Sequence, residues 1–191
     1  MTHYDIAVLG PANTFSDLAV KKYKPKARVY YAPTIAGVFD SLSKKKVREA
    51  LVPLSNSLSG PVRDTVKGLK RHPEFRIRKT FALPIHLALA AGKGVKLGDI
   101  KTVYSHPQAF LQCRAFLKKH LPRAKCVPVK STVAGLELAG AHKNAGTGVL
   151  AHAAAIGPAE AAKALGLNIL KTRIEDDRGN LTTFALIVPI G

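Results

Sequence analysis

The sequence predicts an α/β protein built on two small sheets, and three observations carry that expectation. Short apolar runs of strand length alternate with segments of helical length along the whole 191 residues. About ten such strand-like runs occur, which fits two small sheets better than one. Polar turns follow many of the strands, where α/β proteins gather their ligands. The alternation implies largely parallel sheets, with polar loops converging on a cleft between two lobes.

The elements follow in order. Residues 4–10 read as a buried strand entering a glycine turn. Thr14 or Ser16 then caps a helix over residues 17–23. Residues 28–32 form a second strand, and Thr34 caps a helix over 35–43 whose basic C-terminal flank suits the helix dipole. Residues 49–53 form a third strand, ending in the polar loop Ser55-Asn56-Ser57. Residues 61–69 are helical, while 75–83 and 87–91 are strands. A strand at 102–104 precedes a helix through His120, with Pro107 in the first turn, where its missing N–H has no helical partner anyway. Residues 125–129 form a strand, Ser131 and Thr132 cap a helix over 133–141, and 148–151 form another strand. A helix over 158–165, a strand over 167–171, a polar loop over 175–180 and a strand over 182–189 complete the pattern.

Composition narrows the class. A hydrophobic fraction of 47% supplies a packed core. The longest apolar stretch, residues 81–91, is interrupted by Pro84 and His86 and falls well short of the roughly 20 residues of a membrane span. The first ten residues carry Asp5 and lack a basic start before an apolar run, so no signal peptide and a cytoplasmic location are expected. Cys113 and Cys126, without a Cys-x-x-Cys pair, make neither a disulfide framework nor a zinc site, and no metal or cofactor is expected. The net charge is +18. Residues 1–95 hold 17 Lys and Arg against 6 acids and residues 96–191 hold 13 against 6, so the excess is spread rather than patched. No nucleic-acid motif accompanies it, and nucleic acid is not an expected partner. The field does concentrate a small dianion near the protein.

Four segments carry chemical interest: Gly10-Pro11-Ala12-Asn13-Thr14-Phe15-Ser16, Val52-Pro53-Leu54-Ser55-Asn56-Ser57-Leu58-Ser59-Gly60, Ser105-His106-Pro107-Gln108-Ala109 followed by Gln112-Cys113, and Asn180-Leu181-Thr182-Thr183-Phe184. Together, and in this order, they resemble the prephenate dehydratase family. The corresponding family patterns are Gly-Pro-x-Gly-Thr-Phe-Ser, Val-Pro-Ile-Glu-Asn-Ser-x-x-Gly, Ser-His-Pro-Gln-Ala-x-x-Gln-Cys and Asn-x-Thr-Arg-Phe. The resemblance implies a two-lobed, periplasmic-binding-protein-like type II fold. One lobe would be residues 1–78 plus 174–191, and the other 79–173. It also implies a homodimer and a lyase that converts prephenate to phenylpyruvate, CO2 and water in phenylalanine biosynthesis. The family's C-terminal regulatory domain is not expected, because the chain stops at Gly191.

The implied chemistry asks for few groups: donors for two carboxylates and a weak acid beside a departing hydroxyl. On the resemblance Thr182 is the catalytic threonine. Thr14, Phe15, Ser16, Asn56, Ser57, Gln108, Thr183 and Phe184 fall on substrate-binding positions. His86 lies near a histidine of the family's cleft. Each has a plainer reading too. Thr182, Asn56 and Ser57 suit turn caps, Gln108 and His106 suit a helix entry, and the cysteines suit small core positions.

Three positions depart from the pattern: Thr183 replaces arginine, Ser55 replaces glutamate and Asn13 replaces glycine. Losing a bidentate arginine from a desolvated site costs about 2–5 kcal/mol. The Ser55 and Thr183 exchanges are mutually compensating if the family's Glu and Arg form an ion pair. Two other readings stand beside dehydration: decarboxylation of prephenate with the hydroxyl retained, and a non-catalytic binder of small anions on the same scaffold.

Overall fold

The computed structural model describes residues 4–141 and 152–190, and its strands form two sheets, one in each of two compact units. The expected strand at 148–151 lies outside the described residues. The first unit runs to Ile85 and resumes at Gly179, and the second spans His86–Arg178. These changeover points lie beyond those read from the sequence, because the strand ending at Pro84 is paired along its whole length with the returning one.

The first unit contains β1 (Ile6–Leu9), α1 (Phe15–Tyr23), β2 (Val29–Ala32), α2 (Ile35–Ser43), β3 (Glu49–Asn56), β4 (Gly60–Pro61), α3 (Arg63–Arg71) and β5 (Phe75–Pro84). Its strand order is β2-β1-β3-β11-β5, where β11 (Leu181–Pro189) is the returning strand and β4 pairs with β3. Both faces of this sheet are covered. Ala7, Ala50, Val52, Ala185 and Ile187 pack against Val38, Phe39 and Leu42 of α2. Ile6, Val8, Leu51, Phe184 and Leu186 pack against Ala19 and Val20 of α1. Successive side chains of a strand point to opposite faces, so a strand buried on both sides reads as an unbroken apolar run. β5 is an edge strand, opposite β2, and Arg76, Arg78 and Lys79 along it are exposed, a charge pattern that discourages edge-to-edge pairing.

The second unit contains β6 (Ala88–Ala91), a 3-10 turn (Leu97–Asp99), β7 (Thr102–Ser105), α4 (Pro107–Gln112), α5 (Arg114–His120), β8 (Lys125–Pro128) and α6 (Thr132–Ala141). β9 (Ala153–Gly157), α7 (Ala159–Ala164) and β10 (Asn168–Lys171) follow, and the sheet order is β10-β6-β9-β7-β8. β6 and β9 are fully buried, and six of their nine residues are alanine. Small side chains let the helices approach closely. A Cβ on Gly135 of α6 would stand 2.9 Å from the Tyr104 carbonyl oxygen.

Three expectations are corrected. The sheets are mixed, not largely parallel: β1 is parallel to β2 and β3, but β11 is antiparallel to both β3 and β5. Likewise β7 is parallel to β8 and β9, while β6 is antiparallel to β9 and β10. A strand that returns from the far unit to fill a gap between two others has no crossover helix to enforce a parallel direction. The helix expected from Pro107 through His120 is two helices that meet at Cys113, where ψ is 22°. The break is capped by the polar loop: the Asp176 N–H donates to the Gln112 carbonyl at 2.7 Å, and the Asp176 carboxylate accepts from the Ala115 N–H at 3.1 Å. Finally, β3 does not stop at Pro53 but runs to Asn56, because β11 supplies partners there.

Gly135→Ala places a methyl against backbone that cannot swing aside. Overpacking outweighs the gain in helix propensity, and a net loss of about 1–2 kcal/mol is expected. A thermal melt then shows Tm lower by about 3–8 °C. An unchanged or higher Tm refutes the close packing of α6 on β7.

Candidate functional site

The first motif lies between β1 and α1. The Gly10 N–H donates to the Ala32 carbonyl at 2.8 Å, and a Cβ on Gly10 would stand 3.0 Å from that of Tyr31, so a larger residue would need β2 to give by a few tenths of an ångström. Asn13, where the family pattern has glycine, has φ of 65°, a left-handed conformation that asparagine tolerates better than most residues. Thr14 is the N-cap: its Oγ1 accepts from the Asp17 N–H at 3.4 Å and donates to the Pro11 carbonyl at 3.0 Å. Its hydroxyl proton is therefore committed to the loop itself. Phe15 packs half-buried on the α1-facing core, and Ser16 is buried in the first turn.

Asp17 is the residue of this loop that the sequence reading passed over. It is fully buried and accepts from the Asn13 N–H at 2.7 Å, the Tyr31 hydroxyl at 2.6 Å and Lys21 Nζ at 2.7 Å. Burial first, and then the bond to Asp17, push the Tyr31 phenol well above its usual range. Three donors from three positions tie loop, helix and β2 together through one carboxylate. An acid in the first helical turn is also an ordinary dipole partner, so its sequence signal was generic.

The second and fourth motifs meet through the pairing of β3 with β11. Asn56 is directly opposite Thr182, and Ser55 is directly opposite Thr183. Asn56 Nδ2 donates to Thr182 Oγ1 at 3.0 Å, to the Leu181 carbonyl at 3.0 Å and to Asn180 Oδ1 at 2.7 Å. Asn56 Oδ1 accepts from the N–H groups of Leu58 and Ser59, at 3.0 and 3.2 Å, which closes the turn behind it. Ser57 Oγ accepts from the Leu181 N–H at 2.9 Å and donates to the Gly179 carbonyl at 3.3 Å.

The register shifts between Thr183 and Phe184, leaving Leu54 as an extra residue on β3, a bulge of the kind that re-aims neighbouring side chains. Phe184 is 1% exposed and stacks on Phe81 at 6.1 Å between ring centres, so it fills the core beneath Thr182 and Thr183. Asn180, noted in the motif but not selected as a site residue, is 1% exposed, and its Nδ2 has no protein partner among the described residues.

Two of the three departures from the family pattern, Ser55 and Thr183, therefore fall on one cross-strand pair. Side chains directly opposite on antiparallel strands interact, and the exchange of Glu and Arg for Ser and Thr leaves the pair neutral. Among the described residues no Lys or Arg hydrogen-bonds to Ser55, Asn56, Ser57, Thr182 or Thr183.

The third motif belongs to the second unit and is described by itself. His106 Nδ1 accepts from the Gln108 N–H at 3.2 Å, which makes it the cap of α4, and the Gln108 side chain is exposed. Ser105 Oγ is buried and donates to the Ile156 carbonyl at 2.7 Å. Cys113 is fully buried, and burial together with the nearby Glu175 and Asp176 carboxylates pushes its thiol well up. Glu175, also unselected from sequence, is buried with one oxygen 2.9 Å from His86 Nδ1 and the other accepting from the Leu87 N–H at 2.8 Å. No group of three or more His, Cys, Asp or Glu among the described residues is placed to hold a metal.

Replacing the Asn56 amide by a carboxylate sets two acceptors face to face at the Leu181 carbonyl. Asn56→Asp is expected to cost about 1–3 kcal/mol, read as a lower urea midpoint at unchanged m-value. A midpoint equal to that of the unaltered chain overturns the assignment of Nδ2 as the donor that holds β11.

A model of the prephenate dehydratase family matches residues 6–189. The prephenate dehydratase of Lactococcus lactis is 32% identical over 182 residues, covering 95% of this chain and 62% of the relative. A crystal structure of prephenate dehydratase from Arthrobacter aurescens, in complex with L-Phe, superposes with a TM-score of 0.87 at 30% identity, over 98% of this chain and 61% of that one. A periplasmic substrate-binding protein of an ABC transporter from Coxiella burnetii shares the fold alone, at a TM-score of 0.50 and 10% identity over 97% of this chain and 84% of that one. The chain thus spans about three fifths of the length of these two dehydratases. With the motifs in order and the family match running through both units, the chain belongs to the prephenate dehydratase family.

Proposed function

We propose that the chain carries a prephenate-dehydrating lyase activity, and one observation supports this reading above the others. Thr182 Oγ1 accepts from Asn56 Nδ2, so its own proton is left to donate elsewhere. A hydroxyl fixed in this way, on a strand anchored on both sides, suits a leaving ring hydroxyl or a carboxylate of the substrate. Aromatisation supplies much of the driving force, so orientation and protonation suffice for rate. Thr182 is the catalytic group in this reading, and Asn56 and Ser57 orient it. The first motif offers the backbone of the α1 N-terminus rather than the Thr14 hydroxyl, which the loop consumes.

The product enters phenylalanine biosynthesis, and the protein works as a cytoplasmic homodimer on a small anionic substrate. Among the described residues no helix is long and apolar enough to cross a membrane.

The primary test incubates the protein with prephenate and follows phenylpyruvate by absorbance in alkali. Absence of product above the acid-catalysed background overturns the proposal. The neutral Ser55 and Thr183 pair favours a second reading, decarboxylation with the hydroxyl retained. Product mass separates the two, because only dehydration loses water as well as CO2.

Given turnover, Thr182→Ala is expected to lower kcat by about 10²–10³-fold, while Thr182→Ser keeps most of it. Equal losses in both variants contradict a hydroxyl role. The cross-strand pair is tested by a cycle. Ser55→Glu alone faces the dianion with a like charge and raises KM, whereas Thr183→Arg alone lowers it. The double variant departs from the sum of the singles by about 0.5–1 kcal/mol in kcat/KM. Strict additivity shows that the two positions are independent.

A further inference from the structure

The first unit holds a second concave feature, and none of its lining residues belongs to the four motifs. A pocket of about 360 Å³ lies between α2 and α3, within the volume range of small-molecule sites. Its apolar wall comes from Ile35 and Phe39 of α2, Gly68 of α3 and His72 just beyond that helix. A side chain at Gly68 would overlap the Phe39 ring, so the glycine is what lets the two helices share one wall. The His72 ring lies 5.6 Å from that of Phe39 and within 10° of parallel, and it also stacks on Phe75 at 5.4 Å. Stacking on two buried rings fixes the wall in place.

Four charged side chains stand around this wall: Asp40 on α2, and Asp64, Lys67 and Arg71 on α3. All four are exposed, and among the described residues none of them forms an ion pair. Lys67 and Arg71 are four apart on one helix face, a like-charge spacing that weakens a helix unless an anion lies against it. The planar guanidinium of Arg71 suits a carboxylate. The acids at the same rim balance the two cations, which the average surface of a chain of +18 does not do. A simple anion would meet Asp40 and Asp64, and a simple cation would meet Lys67 and Arg71. A molecule that carries both charges on an apolar body satisfies rim and wall together.

We propose that this pocket binds a free α-amino acid with an apolar side chain. Its carboxylate rests on Lys67 and Arg71, its ammonium on the two acids, and its side chain against Ile35, Phe39 and His72. The site lies wholly within the first unit and takes no part in the lyase chemistry proposed above.

The test titrates the full chain with L-leucine by calorimetry at neutral pH, with melting curves to confirm that each variant folds. Saturable binding is expected at a Kd of about 1 mM or tighter. L-leucinamide, which lacks the carboxylate, and N-acetyl-L-leucine, which lacks the ammonium, each bind about 5–10-fold more weakly. Arg71→Gln loses affinity by a similar factor, as does the double variant Asp40→Asn, Asp64→Asn. Lys70→Gln, on the same helix but outside the pocket, keeps affinity within about twofold. If a variant fails to fold, the two modified ligands decide. No saturable binding up to about 10 mM overturns the site. So does equal binding of either modified ligand, or an equal loss in Lys70→Gln. Prephenate turnover is assayed separately, and its absence overturns the lyase reading alone.

Discussion

The antiparallel pairing of β3 with β11 is the constraint on which the first unit depends. It closes the sheet between β1 and β5 and buries Phe184 and Leu186 on one face, and Ala185 and Ile187 on the other. The same register sets Asn56 against Thr182 and Ser55 against Thr183. A slip of one residue would send every side chain of β11 to the wrong face, so core packing fixes the register and the register fixes the site. The proposed site needs no scaffold of its own; it would use the polar ends of two strands whose middles are locked by hydrophobic burial.

Much of this was legible in the sequence because burial on both faces leaves a strong mark. β1, residues 50–52 of β3 and residues 184–188 of β11 are buried apolar runs, α2 begins at the residue after its Thr34 cap, and the four motifs locate the polar strand ends. Strand direction was not legible. Alternating strands and helices suggest crossovers, but they do not say that β11 returns between β3 and β5 from the opposite direction. The break at Cys113 was hidden for a related reason, since the cap that permits it comes from Asp176, far along the chain.

Site residues divide in the same way. Asn56, Ser57 and Thr182 stood out as polar residues at strand ends, and the structure joins them in one hydrogen-bonded group. Asp17 and Glu175 were not selected, and Asn180 was noted only as part of its motif, because a buried polar residue looks like any surface one until its partners are known. In a chain of +18, the rare acids that are buried have the clearest structural purposes. Asp17 gathers a loop, and Glu49 draws in Lys24 and Arg78 at 2.6 and 2.8 Å. The scattered positive excess is accordingly a property of the solvated surface, while the interior is organised around a few carboxylates.

The place of β11 in the sheet also governs the order of events during synthesis. β3 and β5 leave the ribosome well before their shared neighbour, which is translated only after the whole second unit. Until it arrives, the facing edges of β3 and β5 stand open, and the core faces lack Ala185 and Ile187 on one side and Phe184 and Leu186 on the other. The second unit needs no such wait, since its sheet is built wholly from the contiguous stretch that emerges before β11. The domain that starts first therefore finishes last.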